Sequence, residues 1–185
     1  MWTRRGVIAG LAGAVTAAAI GRGEAAGLPI LGRAHDGHAL GAEELGGWRL
    51  VYFGYTHCPD VCPLGLSTMA EALDALGRLA EQVTPVFVTV DPARDTPAVM
   101  KDYVAFFHPR LIGVTPDAEQ LTLMARAWRI KFARVEVGEG RPYLMDHSAS
   151  LLLADPAGTA AGRFPHDMGG ARMAEKIRVA MATRP

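Results

Sequence analysis

The chain has 185 residues, half of them hydrophobic, and its 19 basic and 19 acidic side chains give a formal net charge of zero. This length fits one ordinary domain with a substantial hydrophobic core. Because the sequence contains no basic stripe and no acidic run, its charge pattern argues against nucleic acid as the partner.

Residues 1–26 have the composition of an export signal. Arg4 and Arg5 precede an uncharged run from Gly6 to Ile20, and small residues follow around Ala25. This order is typical of a secretory signal, and the paired arginines indicate twin-arginine export. The apolar run is shorter than the roughly 20 residues of a spanning helix, so we expect cleavage, with an uncleaved membrane anchor as the alternative. Both interpretations place residues 27–185 on the exported, periplasmic side, where disulfides persist.

The rest of the sequence alternates between strand and helix patterns. The predicted elements are strand 49–55, a helix from Val61, strand 83–91, a helix at Pro97 capped by Thr96, strand 111–115, a helix opened by Thr115–Pro116, strand 129–137, a hairpin of 148–155 with 159–164, and helix 169–182. Strand–helix–strand units form parallel, right-handed connections. With the closing antiparallel hairpin and helix, they predict an α/β, thioredoxin-like domain whose central mixed sheet is flanked by helices.

Both cysteines of the chain, Cys58 and Cys62, lie in "YFGYTHCPDVCP", where the first strand passes into the first long helix. Backbone amides at a helix start stabilise a thiolate, and a spacing of four places both sulfurs on one helical face. Such a pair can bind a soft ion such as Cu(I) or zinc, exchange with other disulfides, or form a structural disulfide. The spacing differs from the commoner Cys-x-x-Cys redox motif but leaves all three roles open.

A metal bound by this pair within one chain needs a ligand other than cysteine, and His147 in "YLMDHSASLLL" is the candidate. His147 comes just before the strand that we expect to run antiparallel beside strand 49–55. The start of that strand should therefore lie near the two cysteines. Two thiolates and one imidazole suit Cu(I), and they suit Cu(II) with a further weak ligand. The neighbouring His57 and Asp60 are interpreted as a loop residue and a carboxylate of the first helical turn.

Several stretches resemble, in the same order, the Sco/SenC family of copper proteins, which serve assembly of the binuclear copper site of cytochrome c oxidase. They are "YFGYTHCPDVCP", "VFVTVDPARDTP", "KDYVAFFHPRLIGVTP" and "MDHSAS", within about residues 28–182. The family is thioredoxin-like and binds one copper through the two motif cysteines and a distal histidine. The resemblance therefore implies Cys58, Cys62 and His147 as metal ligands, with at most supporting roles for Asp60 and Asp91.

The function implied by the resemblance is that of a copper metallochaperone, carrying Cu(I) and also Cu(II), outside the cytoplasm. Its partner would be the copper-accepting subunit of cytochrome c oxidase, and transfer by ligand exchange would require no catalysis. Other partners would be further copper chaperones or thiol reductants, with membrane association through residues 1–26. The alternative is an extracytoplasmic thiol–disulfide oxidoreductase that reduces the acceptor's cysteines and does not need His147. A peroxiredoxin-type peroxidase is disfavoured because "YTHCP" lacks the Pro-x-x-x-Thr-x-x-Cys arrangement.

Overall fold

The structure is a computed structural model that describes residues 27–41 and 44–184. The predicted export signal at residues 1–26 lies outside the described residues. The strands are β1 Gly32–Ala34, β2 Ala39–Leu40, β3 Trp48–Gly54, β4 Val83–Thr89, β5 Ile112–Thr115, β6 Phe132–Val135, β7 Leu144–His147, β8 Ser150–Ala154 and β9 Ala160–Pro165. The α-helices are α1 Val61–Leu76, α2 Pro97–Phe107, α3 Ala118–Ala127 and α4 Gly170–Thr183. None of the helices in these ranges combines the length and apolar character needed to cross a bilayer.

Seven strands form the central sheet in the order β2-β1-β5-β4-β3-β8-β9. Strands β3, β4 and β5 run parallel, whereas β8 and β9 are antiparallel additions beyond β3. This is the mixed sheet that the sequence predicted, and the α/β, thioredoxin-like fold is confirmed. The predicted pairing of β8 beside β3 is also confirmed, with Tyr52 opposite Leu151.

Strand β3 and helix α1 build the core around the cysteine motif. Every residue of β3 is buried, as expected for a strand inside a sheet that is covered on both faces. Helix α1 buries a stripe of apolar residues at helical spacing, Leu66, Met69, Leu73 and Leu76. The short loop between these two elements therefore connects two tightly packed parts of the core.

The starts of α2 and α3 show where local sequence signals succeed and where they mislead. Thr96 caps α2 as predicted, and its hydroxyl accepts a hydrogen bond from the Val99 amide at 3.4 Å. Helix α3, predicted to open at Thr115–Pro116, instead starts after Asp117, whose carboxylate accepts from the Gln120 amide in a capping box. Thr115 stays extended because it pairs with β1 as the last residue of β5.

The segment predicted as one strand at 129–137 forms the shorter β6, which pairs with β7 in a separate two-stranded sheet. His147, predicted to lie in a loop before β8, is the last residue of β7 and stands opposite Phe132. Strand β7 was missed because its four residues are too few to establish a period. We call residues 132–147 the β6–β7 arm.

Candidate metal centre

The two cysteines lie at the junction of β3 and α1, as predicted. Cys58 is in the connecting loop and Cys62 is the second residue of α1; both are free thiols, with exposed fractions of 8% and 0%. The backbone amides of Asp60 and Cys62 face the Cys58 sulfur and lower the pKa of its thiol. The helix start therefore directs its amide groups at Cys58, which stabilises negative charge on that sulfur.

The fold brings His147 to the cysteine pair. Its Nε2 lies 3.1 Å from Cys62 Sγ, and the candidate ligand atoms of Cys58, Cys62 and His147 all lie within 4.8 Å of one another. His147 Nδ1 lies 3.3 Å from the Ser148 carbonyl oxygen. When Nδ1 donates its hydrogen to that carbonyl, Nε2 keeps its lone pair and faces the sulfurs. The arrangement therefore presents two sulfurs and one nitrogen to a common point.

Two tyrosines hold the imidazole from the protein side. The rings of Tyr52 and Tyr55 approach the His147 ring edge-on, with centroid distances of 6.1 and 5.8 Å. Both tyrosines are buried. They close the inner side of the site, while the imidazole remains partly exposed on the other side.

Gly54, the last residue of β3, allows the Cys62 sulfur to sit against the strand. A Cβ atom at this position would lie 2.6 Å from Cys62 Sγ and 2.8 Å from an edge carbon of Phe87. Both separations are well below van der Waals contact, so a side chain here would displace the sulfur or the ring. The sequence shows the glycine in "YFGYTHC" but gives no sign of this close approach.

A buried carboxylate that the sequence analysis did not single out holds the cysteine loop. Asp95 is fully buried and accepts hydrogen bonds from the Thr56 amide at 2.9 Å and the Thr56 hydroxyl at 2.6 Å. It also accepts from the Thr89 hydroxyl at 2.6 Å. Because Thr56 lies two residues before Cys58, Asp95 fixes the loop on which that sulfur is carried.

The other polar residues considered from the sequence lie at the margin of the site. His57 is 52% exposed, with its Nδ1 3.7 Å from an Asp95 oxygen, and it does not belong to the three-residue group. Asp60 occupies the N-cap position of α1 without a side-chain capping bond. Asp91 is buried and forms an ion pair with Arg94.

The two thiols have opposite protonation preferences. The neighbouring Cys62 thiol, followed by the backbone amides at the helix start, lowers the pKa of Cys58 to about 3. The Cys58–Cys62 hydrogen bond, together with burial, raises the pKa of Cys62 far above that of an ordinary thiol. At neutral pH the metal-free pair therefore holds one proton, with Cys58 as the thiolate and Cys62 as the donor.

This asymmetry predicts how the reduced, metal-free chain reacts with iodoacetamide. Because the Cys58 pKa is depressed, its thiolate persists in acid, and its alkylation rate should stay nearly constant between about pH 8 and pH 5. In Cys62→Ala, which lacks the donating thiol, the midpoint of the rate profile should move toward the ordinary thiol value of about 8.5. The measurement is alkylation rate against pH, with mass spectrometry to identify the modified cysteine.

The control for this experiment is Cys58→Ser, in which the fully buried Cys62 should react slowly across the same pH range. A wild-type profile that rises with a midpoint near pH 8.5 would contradict the assigned asymmetry.

Comparison with known proteins gives a consistent match over most of the chain. The sequence profile of the family described as SCO1/SenC matches residues 32–182. The mitochondrial SCO2 homologue of Bos taurus is 36% identical over 173 residues, which cover 91% of this chain and 63% of that protein. The SCO2-like protein of Rickettsia felis is 36% identical over 145 residues, covering 77% of this chain and 71% of its own. The chain therefore spans less than two thirds of the bovine protein's length.

Solved structures agree with the sequence matches. Copper-bound ScoI of Bradyrhizobium japonicum has a TM-score of 0.73 at 34% identity, covering 82% of this chain and 99% of its own. Copper-bound ScoI of Arabidopsis thaliana has a TM-score of 0.78 at 33% identity, covering 86% of this chain and 99% of its own. With a family profile that matches from β1 to α4 and relatives alike in both sequence and fold, the chain belongs to the SCO1/SenC family.

Proposed function

We propose that this protein binds copper through Cys58, Cys62 and His147 and delivers it to the binuclear copper site of cytochrome c oxidase. The observation that carries the proposal is the convergence of two sulfurs and one imidazole nitrogen within 4.8 Å. Soft thiolates favour Cu(I), and an added imidazole is a good copper ligand in either oxidation state. The copper bound in the Bradyrhizobium and Arabidopsis relatives supports the same cargo here.

The chemistry of the three residues suits a carrier that must both hold and release its cargo. Cys58 is already a thiolate, so copper binding displaces one proton from the pair, that of Cys62. His147 offers the lone pair of Nε2 without losing a proton. A site with three protein ligands and one partly open side lets thiolates of the acceptor replace the ligands one at a time. No catalytic group is required for this exchange.

The second candidate function is thiol–disulfide exchange, and the protonation asymmetry of the cysteines favours it. The Cys58 thiolate would attack a disulfide of the acceptor and form a mixed disulfide, releasing one acceptor thiolate. Cys62, after losing its proton to that thiolate, would attack Cys58 and release the second acceptor sulfur as a thiolate. The products are a reduced acceptor and a Cys58–Cys62 disulfide, which a thiol reductant must then reduce. This route does not require His147.

The remaining parts of the proposal come from the sequence and from family membership. The copper-binding domain comprises residues 27–185, and residues 1–26 direct it to the periplasmic side, by cleavage or as an anchor. The partner is the copper-accepting subunit of the oxidase, since the family resemblance implies assembly of that enzyme's copper site. Further copper chaperones or thiol reductants would load or reduce the cysteine pair.

His147→Ala separates the two candidate functions. Because the variant loses one of three ligands, we expect its Cu(I) affinity to fall by about tenfold or more (about 1.4 kcal/mol), with thiol–disulfide exchange unaffected. The measurement is an anaerobic Cu(I) competition titration of the reduced full chain, with exchange assayed on the same samples.

The matched control is His38→Ala, because His38 is largely exposed on the β1–β2 turn and should leave the affinity unchanged. Equal affinities of wild type and His147→Ala, combined with reduction of a disulfide substrate by the cysteine pair, would reject the three-ligand site in favour of a redox protein.

A further inference from the structure

The two kinds of candidate ligand belong to differently anchored parts of the molecule. Cys62 is on α1, which packs in the core, and Cys58 is held by the loop fixed to Asp95. His147 ends the β6–β7 arm, whose two strands pair with each other and not with the central sheet in the ranges that the structure describes. Only Ser148 and Ala149 separate β7 from β8, and Phe132 and Met145 of the arm pack against the hydrophobic core. The orientation of the imidazole at the end of the arm also depends on polar side-chain contacts with the rest of the domain.

Tyr143, the residue directly before β7, makes several of these contacts. Its hydroxyl donates a hydrogen bond to Asp91 Oδ1 at 2.9 Å, and its carbonyl oxygen accepts one from Arg94 Nη1 at 3.0 Å. The Arg94 guanidinium also stacks over the Tyr143 ring, 3.7 Å from its centroid. Asp91 and Arg94 are themselves joined by an ion pair. One arm residue is thus held by its hydroxyl, its ring and its backbone.

These contacts continue to the metal site. Arg94 lies 5.6 Å from the centroid of the Tyr55 ring, on which the His147 ring rests edge-on. Tyr143 is also only four residues from His147. Because β7 is extended between them, a shift of Tyr143 along the strand should also shift His147. Both routes, through the Tyr55 ring and along β7, join the Tyr143 contacts to the imidazole.

We propose that Tyr143 and Arg94 form a latch that positions His147 against the two sulfurs and thereby sets how firmly the imidazole holds copper. The inference rests on the proposed copper-binding function and adds two positioning residues that do not touch the metal. The thiolates come from α1 and the loop fixed to Asp95, whereas the imidazole comes from the arm, where the latch adds polar contacts to the apolar packing of Phe132 and Met145. Loss of the latch should therefore weaken the contribution of His147 to copper binding more than that of the two sulfurs.

Tyr143→Phe tests the latch because it removes the hydroxyl bond to Asp91 and keeps the ring under Arg94. In a Cu(I) competition titration of the reduced full chain, we expect the affinity to fall by about fivefold, less than in His147→Ala. In a His147→Ala background the same substitution should cause no further loss, since the latch acts through His147. The Cu(II) absorption spectrum of Tyr143→Phe should shift toward that of His147→Ala.

The matched control is Tyr103→Phe, since the buried Tyr103 hydroxyl has no hydrogen-bond partner in the described part of the chain. We expect this variant to keep wild-type affinity and spectrum. Melting temperatures of all variants, measured without copper, confirm that the fold is retained.

The possible failures are distinguishable. If Tyr143→Phe keeps wild-type affinity and spectrum while His147→Ala binds copper more weakly, the latch is wrong and the three-ligand copper site is retained. A loss that persists in the His147→Ala background would also overturn it, because Tyr143 would then act by another route. Equal affinities of wild type and His147→Ala would overturn the three-ligand site and the latch together.

Discussion

Cys62→Ser is expected to weaken Cu(I) binding by about a thousandfold, or about 4 kcal/mol. A hydroxyl has nearly the shape of a thiol, but it is a hard donor that remains protonated and binds Cu(I) poorly. Because Cys62 is fully buried beside the His147 nitrogen, no other sulfur can take its place. An anaerobic competition titration against a chromophoric Cu(I) chelator measures the loss directly.

The matched control for this experiment is Ala70→Ser, which introduces the same hydroxyl on a half-buried position of α1. We expect this variant to bind copper like wild type. A Cys62→Ser chain that retains affinity within tenfold of wild type would show that Cys62 is not a ligand, and it would leave Cys58 and His147 without the shared site that we propose.

Asp95→Ala is expected to lower the free energy of unfolding by about 3 kcal/mol, since it leaves several buried donors without an acceptor. These donors are the amide and hydroxyl of Thr56 and the hydroxyl of Thr89. The loop that carries Cys58 should loosen as a consequence, so copper affinity should also fall. Urea unfolding of the metal-free, reduced chain measures the stability change, provided that the slope of the transition is preserved.

Two further variants serve as controls for the effect of Asp95→Ala on stability. Asp102→Ala, at an exposed position of α2, should change stability by no more than about 0.5 kcal/mol. Asp95→Asn keeps the size of the side chain and one acceptor oxygen, so we expect an intermediate loss. An unchanged unfolding midpoint in Asp95→Ala would rule out the carboxylate as the anchor of the cysteine loop.

The proximity of the three candidate ligands could be predicted from the sequence because it depends on the order of strands. Once 49–55 is a parallel strand and 148–155 begins an antiparallel hairpin beside it, the start of the hairpin must lie near the end of the first strand. That argument placed His147 beside Cys58 and Cys62, and the structure has the three side chains together. This prediction required only that the two strands be long enough for their hydrophobic pattern to be recognised.

The supporting residues could not be predicted, because their roles depend on contacts that leave no local pattern. Asp91 and Asp95 are equivalent in "DPARDTP", and only the fold turns one toward Thr56, 39 residues away. Gly54 resembles any glycine after a strand until the distance to Cys62 Sγ is known. The short β1–β2 and β6–β7 pairs were missed as strand pairs, since two to four residues are too few to distinguish a strand from a turn.

Cys62 and His147 are separated by 85 residues, so the candidate site forms only when the chain is folded. In an unfolded chain the two cysteines remain neighbours, but the imidazole is lost to a distant part of the coil. If the three residues hold copper as proposed, the folded chain binds it more tightly than the unfolded one, and by mass action the loaded form melts at a higher temperature. In that case a copper-loaded molecule that unfolds would hold its copper more weakly, and the copper would pass to other copper-binding proteins or thiols nearby.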